Sequence, residues 1–186
     1  QKYNPKWGMG DIIIKDRTGE GVINDEDRTV IGNSIPRFTF GLNLGFEYKG
    51  FDFSCFFQGV GKADGYVTME AIQPMGINGA RKEHYKESFN PQDPKPGAYF
   101  PRILSSDYNY AYMSHWVQDA SYIRLKNLQI GYSFKIKGLN QLRVYASGEN
   151  LFTATKYRTW DPETPVGARG FYPNVAVYSM GVNLNF

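Results

Sequence analysis

Along five stretches of this chain, large apolar residues alternate with small or polar ones at a period of two, the signature of strands with one greasy face. From Arg37 to Tyr48 the apolar set is Phe38, Phe40, Leu42, Leu44, Phe46 and Tyr48, with Thr39, Gly41, Asn43, Gly45 and Glu47 opposite. Lys49 and Gly50 form a tight turn, and Phe51 to Gln58 returns with Phe51, Phe53, Cys55 and Phe57 on the same face, which predicts a hairpin. From Ser121 to Phe134 the apolar set is Leu128, Ile130, Tyr132 and Phe134. Strict alternation puts Arg124 and Lys126 at the far end of that same face. Leu142 to Phe152 carries Leu142, Val144, Ala146, Gly148 and Phe152, and Val175 to Phe186 carries Tyr178, Met180, Val182, Leu184 and a terminal Phe186.

The connections alternate short and long. Two short links, Lys49–Gly50 and Lys135 to Gln141, contrast with proline-rich connections over 60–120 and 153–174, the first with one short helix around Arg81 to Ser88. The first 36 residues are turn-rich, with a strand-like piece at Asp11 to Lys15. A structureless loop of such length is unusual in a compact soluble domain. In a bacterial outer-membrane barrel, short periplasmic turns and long outer loops are the rule. The strand lengths fit that class too, being close to the roughly 9 to 11 tilted residues that cross a bilayer.

Composition sharpens this reading. Of 186 residues 16% are aromatic (14 Tyr, 13 Phe, 3 Trp), and 20 are Gly. A negative mean hydropathy is compatible with a membrane barrel, because each strand is apolar only at every second position. A net charge of +3 with scattered basic residues gives no nucleic-acid surface. Cys55 stands alone, which excludes an intrachain disulfide and Cys/His metal sites. His84 and His115 lack catalytic companions and are read as structural. With no nucleophile and base pair, no carboxylate pair in a recognisable setting and no phosphate-binding loop, the chain is not expected to be an enzyme. Five strands cannot close a wide barrel, and open sheet edges cannot sit in lipid. The chain, which begins at Gln1 without a leader, is therefore expected to be the C-terminal part of a larger barrel.

Several blocks carry a family likeness: DIIIKDRTGEGVINDEDRTVIGNSIPRFTFGLNLGFEYKGFDFSCFFQG (Asp11 to Gly59), SYIRLKNLQIGYSF (Ser121 to Phe134), LRVYASGENLFTATKY (Leu142 to Tyr157), DPE (Asp161 to Glu163) and the final GVNLNF. Pro91 to Arg102, ending Tyr99, Phe100, Pro101 and Arg102, adds a Pro-rich segment of the same kind. In this order they resemble the C-terminal region of the SusC/RagA family of TonB-linked outer-membrane transporters of Bacteroidetes. The resemblance implies an all-β fold, about five strands of a 22-stranded antiparallel transmembrane barrel. Residues 1–36 would be an extracellular loop with an acidic turn, and residues 37–186 the barrel strands with their two long outer loops. It also implies outer-membrane lipid around the barrel, coupling to TonB through an N-terminal part, a SusD-like surface lipoprotein as partner, and import of a glycan or peptide. The alternative is a soluble all-β carbohydrate-binding module, whose greasy face would be a covered core.

Two sets of candidate site residues follow. Asp16, Thr18, Glu20, Asn24 and Asp27, with Gly21 at the sharp turn, have the spacing of an EF-hand-like calcium loop. Thr18 and Glu20 stand where relatives carry Asn and Asp. The other reading is an acidic turn whose side chains bond their own backbone. Trp116, Tyr157 and Trp160, in or beside the long loops, are candidates for stacking on substrate. They serve equally well as loop-packing or interfacial aromatics.

Overall fold

A computed structural model describes residues 6–67, 69–74, 79–94, 96–103, 107–158, 160–164, 172 and 174–186. Among the described residues seven strands form: β1 (Phe38–Tyr48), β2 (Phe51–Gly61), β3 (Asp64–Tyr66), β4 (Val117–Asp119), β5 (Tyr122–Phe134), β6 (Gln141–Thr155) and β7 (Val177–Asn185). The five long ones make one antiparallel sheet in the order β1-β2-β5-β6-β7, and β3 pairs with β4 in a separate ribbon. The β1–β2 hairpin closes through Lys49 (φ 48°) and Gly50 (φ 88°), the paired positive φ values that suit a two-residue loop to the strand twist. The short helix falls at Lys82–Glu87.

Cross-strand register carries the apolar set across the whole sheet. Leu44 faces Cys55, Cys55 faces Leu128 and Leu128 faces Gly148; Tyr132 faces Val144, and Val144 faces Val182. This face is open. Phe40 and Leu44 are each 49% exposed, Leu184 54% and Val182 59%, where a soluble sandwich would have buried them. On this face Cys55, Gly59 and Gly148 are buried beneath their longer neighbours, while Ala63, Ala120, Tyr122 and Arg124, buried in the same unit, lie elsewhere.

In one place strict alternation fails. The β2–β5 register shifts between Phe56 and Phe57, which face Asn127 and Leu125, so Lys126 is an extra residue on β5. A β-bulge reverses the parity of every residue beyond it. Leu125 and Ile123 therefore join the apolar face, opposite Phe57 and Gly59, while Arg124 pairs with Gln58 and Thr153 on the polar face. This corrects the expectation that Arg124 and Lys126 extend the apolar face. On β6 the matching irregularity is Asn150, with φ 52°.

The chain divides into two compact units. One joins residues 1–32 to 67–117, and the other holds residues 33–66 and 118–186. The first 32 residues and most of the long loop, which the sequence reading separates, thus fold together. Asp11 to Lys15 is not a strand: the Ile12 N–H donates to Asn109 Oδ1 (3.0 Å) and its carbonyl accepts from the Tyr108 hydroxyl (2.5 Å), so side chains take the place of a ladder.

Deleting Lys126 should remove the bulge and leave every other residue of β5 on its present face, with Ile123, Leu125 and Leu128 alternating with Arg124 and Asn127. The β2–β5 ladder then runs without a shift, and the expected outcome is folded full-length protein that keeps its heat-modifiable band on gels.

Candidate functional site

The polar face of the sheet carries two charge clusters. In one, Arg143 Nε lies 2.9 Å from Asp52 Oδ2, with a second contact from Nη2 to Oδ1. The pair covers Gly131, where any side chain would collide with it. In the other, Arg124 donates through Nη2 to both carboxylate oxygens of Asp161 (2.8 Å each) and through Nε to Thr153 Oγ1 (2.7 Å). Its Nη1 lies 3.0 Å from Glu163, which also takes Lys126 Nζ at 2.8 Å and Asn174 Nδ2 at 2.7 Å. Arg124 is 2% exposed, so the cluster is nearly dry at its guanidinium. The turn that presents the two carboxylates is self-supporting: the Glu163 N–H donates to Asp161 Oδ1 and the Thr164 N–H to the Asp161 carbonyl, 2.9 Å each.

Beside this turn opens a recess of about 390 Å³, with Gln58, Asp64, Tyr122, Tyr157, Pro162 and Thr164 among its walls. Tyr157 lies against the Gly65 backbone, where a Cβ would meet its ring at 2.6 Å. Trp160, immediately before Asp161, is half-buried. Tyr157 and Trp160 thus belong to one unit and Trp116 to the other.

Trp116 is wholly buried. Tyr110, His115, Tyr99 and Phe100 surround its ring, and its indole N–H donates to the Asn109 carbonyl at 2.9 Å. A ring packed on this scale has no face to offer a ligand, so of the two roles that the sequence leaves open for Trp116 its surroundings favour loop packing. His84 is as deeply buried. The Arg81 N–H donates to its Nδ1, so Nε2 carries the proton and donates to the Ala71 carbonyl; burial lowers its pKa and keeps it neutral.

The acidic turn bonds itself. Asp16 Oδ1 accepts from the Gly19 N–H (2.6 Å) and Oδ2 from the Gly21 N–H (2.8 Å). Asp27 Oδ1 accepts from the Arg17 and Thr18 N–H groups and Oδ2 from that of Asn24. Asn24 caps Glu26, and the Asn24 side-chain amide donates to Glu20 at 3.4 Å. Backbone N–H donors hold both carboxyls below the usual range, that of Gly21 first for Asp16 and that of Asn24 first for Asp27. Ca²⁺ needs six to eight converging oxygens. Here the oxygens point at amides, and among the described residues no three of His, Cys, Asp or Glu are placed to hold a metal. The arrangement does not fit calcium, and titration calorimetry on this chain should show no binding heat at millimolar calcium.

The same unit has a second anchor. Arg102 holds Asp11 in a two-point pair (2.7 and 2.6 Å), and the Gly8 N–H and Asn109 amide add bonds of 2.8 and 2.9 Å. Burial opposes ionisation of Asp11, but these donors, Arg102 first, bring its carboxyl to about 2 from 3.8. A depressed carboxyl stabilises the fold fully above its ordinary value and loses that contribution as pH falls through the folded one. Amide-exchange protection at Ile12 should therefore decline between pH about 4 and about 2. In Arg102→Gln it should be weak already at neutral pH.

The sequence reading missed the cluster of Arg124, Lys126, Asp161 and Glu163. Its signal was the spacing of Leu125 and Leu128, three apart in a strand where apolar residues otherwise recur every two.

Comparison with known proteins agrees with this geometry. No family model matches. The chain is 34% identical over 201 aligned positions to TonB-dependent receptor P3 of Formosa agariphila, covering 95% of this chain and 19% of that protein. It is 27% identical to TonB-dependent receptor SusC of Bacteroides thetaiotaomicron, over 100% of this chain and 19% of SusC. The chain thus spans about a fifth of the length of the curated relatives it matches. The RagAB peptide importer in its open-open state shares the fold, with a TM-score of 0.66 and 24% identity over 83% of this chain and 18% of that one. The chain is thus homologous, along nearly its whole length, to TonB-dependent receptors, SusC among them, and its open five-stranded sheet with an uncovered apolar face is a fragment of a barrel of that fold.

Proposed function

We propose that this chain is the C-terminal barrel segment of an outer-membrane transporter that, energised through TonB, imports oligosaccharides or peptides together with a SusD-like surface lipoprotein. The observation that carries this reading is the contrast between the two faces of one sheet. Leu42, Leu44, Ile130, Val144 and Val182 lie uncovered on one face, and the Asp52–Arg143 and Arg124–Asp161 pairs lie on the other. Hydrocarbon suits the first face and a wet lumen the second. Strands of 11 residues, at about 3.3 Å per residue and tilted by about 40°, span a hydrocarbon band about 25 Å tall. The edge strands β1 and β7 each pair on one side only among the described residues, so further strands must complete the barrel. Both short links lie at one end of the sheet and both long connections at the other, which supports an outer side for the loops. A soluble carbohydrate-binding module would leave this apolar face without cover. The names of SusC relatives and the RagAB peptide importer support transport; ligand class, lipoprotein partner and TonB coupling are inferred from that kinship.

We assign ligand contact to Tyr157, which lines the recess on the polar side, with Trp160 as its neighbour along the chain.

Two outcomes check this reading in the full-length protein. Leu44→Arg should cost about 2 to 4 kcal/mol if the residue lies near the bilayer midplane, and Asn43→Arg about 1 kcal/mol or less. Guanidinium unfolding from lipid vesicles measures both, and equal costs would reject the lipid-facing assignment. Tyr157→Ala should raise the KM of uptake by about two- to tenfold, the worth of one aromatic contact. An unchanged KM with normal folding would remove Tyr157 from the ligand path.

A further inference from the structure

Strand β5 is the only long strand that brings two basic residues to its polar side in adjacent polar positions, Arg124 and Lys126. It does so where the bulge falls, so Lys126 and Asn127 both stand on that side and Lys126 keeps its reach to Glu163. The partners come from a turn 37 residues further along. Two positive and two negative groups neutralise one another, with side chains 3% exposed for Arg124, 9% for Asp161, 19% for Glu163 and 23% for Lys126.

Such burial is not needed for folding a strand. An ion pair taken out of water gains little over apolar packing, yet removal of one partner is strongly destabilising, because the other charge is left stranded. What this arrangement secures is position. Arg124 is fixed to its own sheet by Thr153, directly opposite on β6, and offers Nη2 to both oxygens of Asp161 and Nη1 to Glu163. Glu163 is drawn in by three donors, one of them Asn174 near the start of β7. The turn between them supplies Pro162, Glu163 and Thr164 to the recess beside Tyr157.

We propose that Arg124 and Lys126 are positioning residues of the transporter: they clamp the Asp161–Glu163 turn onto the polar face of the sheet and so hold fixed the wall that this turn gives the recess. The proposal rests on the outer-membrane reading for where the recess opens, and on the ion-pair geometry alone for the clamp. Arg124 carries the dry arm and Lys126 the wetter one, so the two differ in how much the turn loosens when each is lost.

The test uses the full-length transporter in its own outer membrane with Thr164→Cys as reporter and a membrane-impermeant maleimide as probe; Cys55, buried in the sheet, is replaced by Ser. Insertion of the otherwise unsubstituted reporter protein is measured first, by fractionation and heat modifiability. Failure there would count against the membrane reading, and the clamp would then be tested by the same labelling on soluble protein. In folded barrels, Arg124→Gln and Asp161→Asn should each raise the labelling rate by about tenfold or more, as expected when one partner of a buried pair is removed from a local opening equilibrium. Lys126→Met should raise it less. The exchanged pair, Arg124→Asp with Asp161→Arg, should bring the rate back down, a rescue that a general loss of stability would not give. Unchanged labelling in the folded single variants overturns the proposal. So does failure of every variant, Lys126→Met and Glu163→Gln included, to reach the membrane, because a positioning role requires a barrel that folds without the clamp.

Discussion

Parity governs this sheet. A strand residue lies on the apolar or the polar face according to whether its place in the register is odd or even, and a single inserted residue reverses all that follows. The extra residue at Lys126 is the one place in β5 where this happens, and it decides the fate of Arg124. Were β5 to run regularly through Lys126, with no bulge, the guanidinium would be in phase with Leu128 and Ile130. With it, the guanidinium reaches Asp161, and Ile123 and Leu125 complete the apolar face against Gly59 and Phe57. One backbone irregularity thus keeps charge off the greasy side and brings it to a partner.

Much of this was legible in the sequence, and the limits have physical causes. The five strands, the Lys49–Gly50 turn, the helix at Lys82–Glu87 and the shared apolar face follow from period-two patterning and turn chemistry, both local properties of the chain. The bulge was not read, because alternation counted from Leu128 outward absorbs Arg124 and Lys126 without visible conflict: long basic side chains at a strand end pass for snorkelling residues. The three-residue step from Leu125 to Leu128 is the local sign of it, and the cross-strand register, which pairs Leu125 with Phe57, makes the shift explicit. The role of Trp116 stayed open for a related reason. A loop tryptophan looks available until its neighbours are known, and Tyr99, Phe100 and Tyr110 are brought to it by contacts that no periodicity encodes.

The loop unit shows how irregular backbone is held without a ladder. Asp11 gathers Arg102, Asn109 and the Gly8 N–H, and Asn109 in turn takes the Ile12 N–H on its side-chain oxygen and the Trp116 indole on its carbonyl. Asn109 is wholly buried, so each of these bonds is made away from water, where an unmet polar group costs most. Residues about a hundred positions apart in sequence are joined through one carboxylate and one amide. The acidic turn follows the same logic on a smaller scale, spending its carboxylate oxygens on its own amides. In both places the chemistry that suggests a metal or substrate site is consumed in building the loop.

The unusual share of aromatic residues and glycines, noted first as composition, also has a structural account. On the apolar face Phe40 lies across Gly59, its direct partner on the next strand, and on the polar face Tyr145 lies across Gly181 in the same relation. Phe56 covers Gly41 one step off the direct pairing, where a Cβ would meet its ring at 3.0 Å. Each glycine leaves room for a ring to lie flat on the neighbouring strand, where it covers backbone that an upright side chain would leave bare. In a sheet exposed on one side to hydrocarbon and on the other to water, no opposing layer exists to fill the space above small residues. At Gly41, Gly59 and Gly181 the rings do so from within the sheet, at Gly131 the Asp52–Arg143 pair takes that part and at Gly148 the Leu151 side chain does, so in each case a long neighbouring side chain replaces the packing that the glycine gives up.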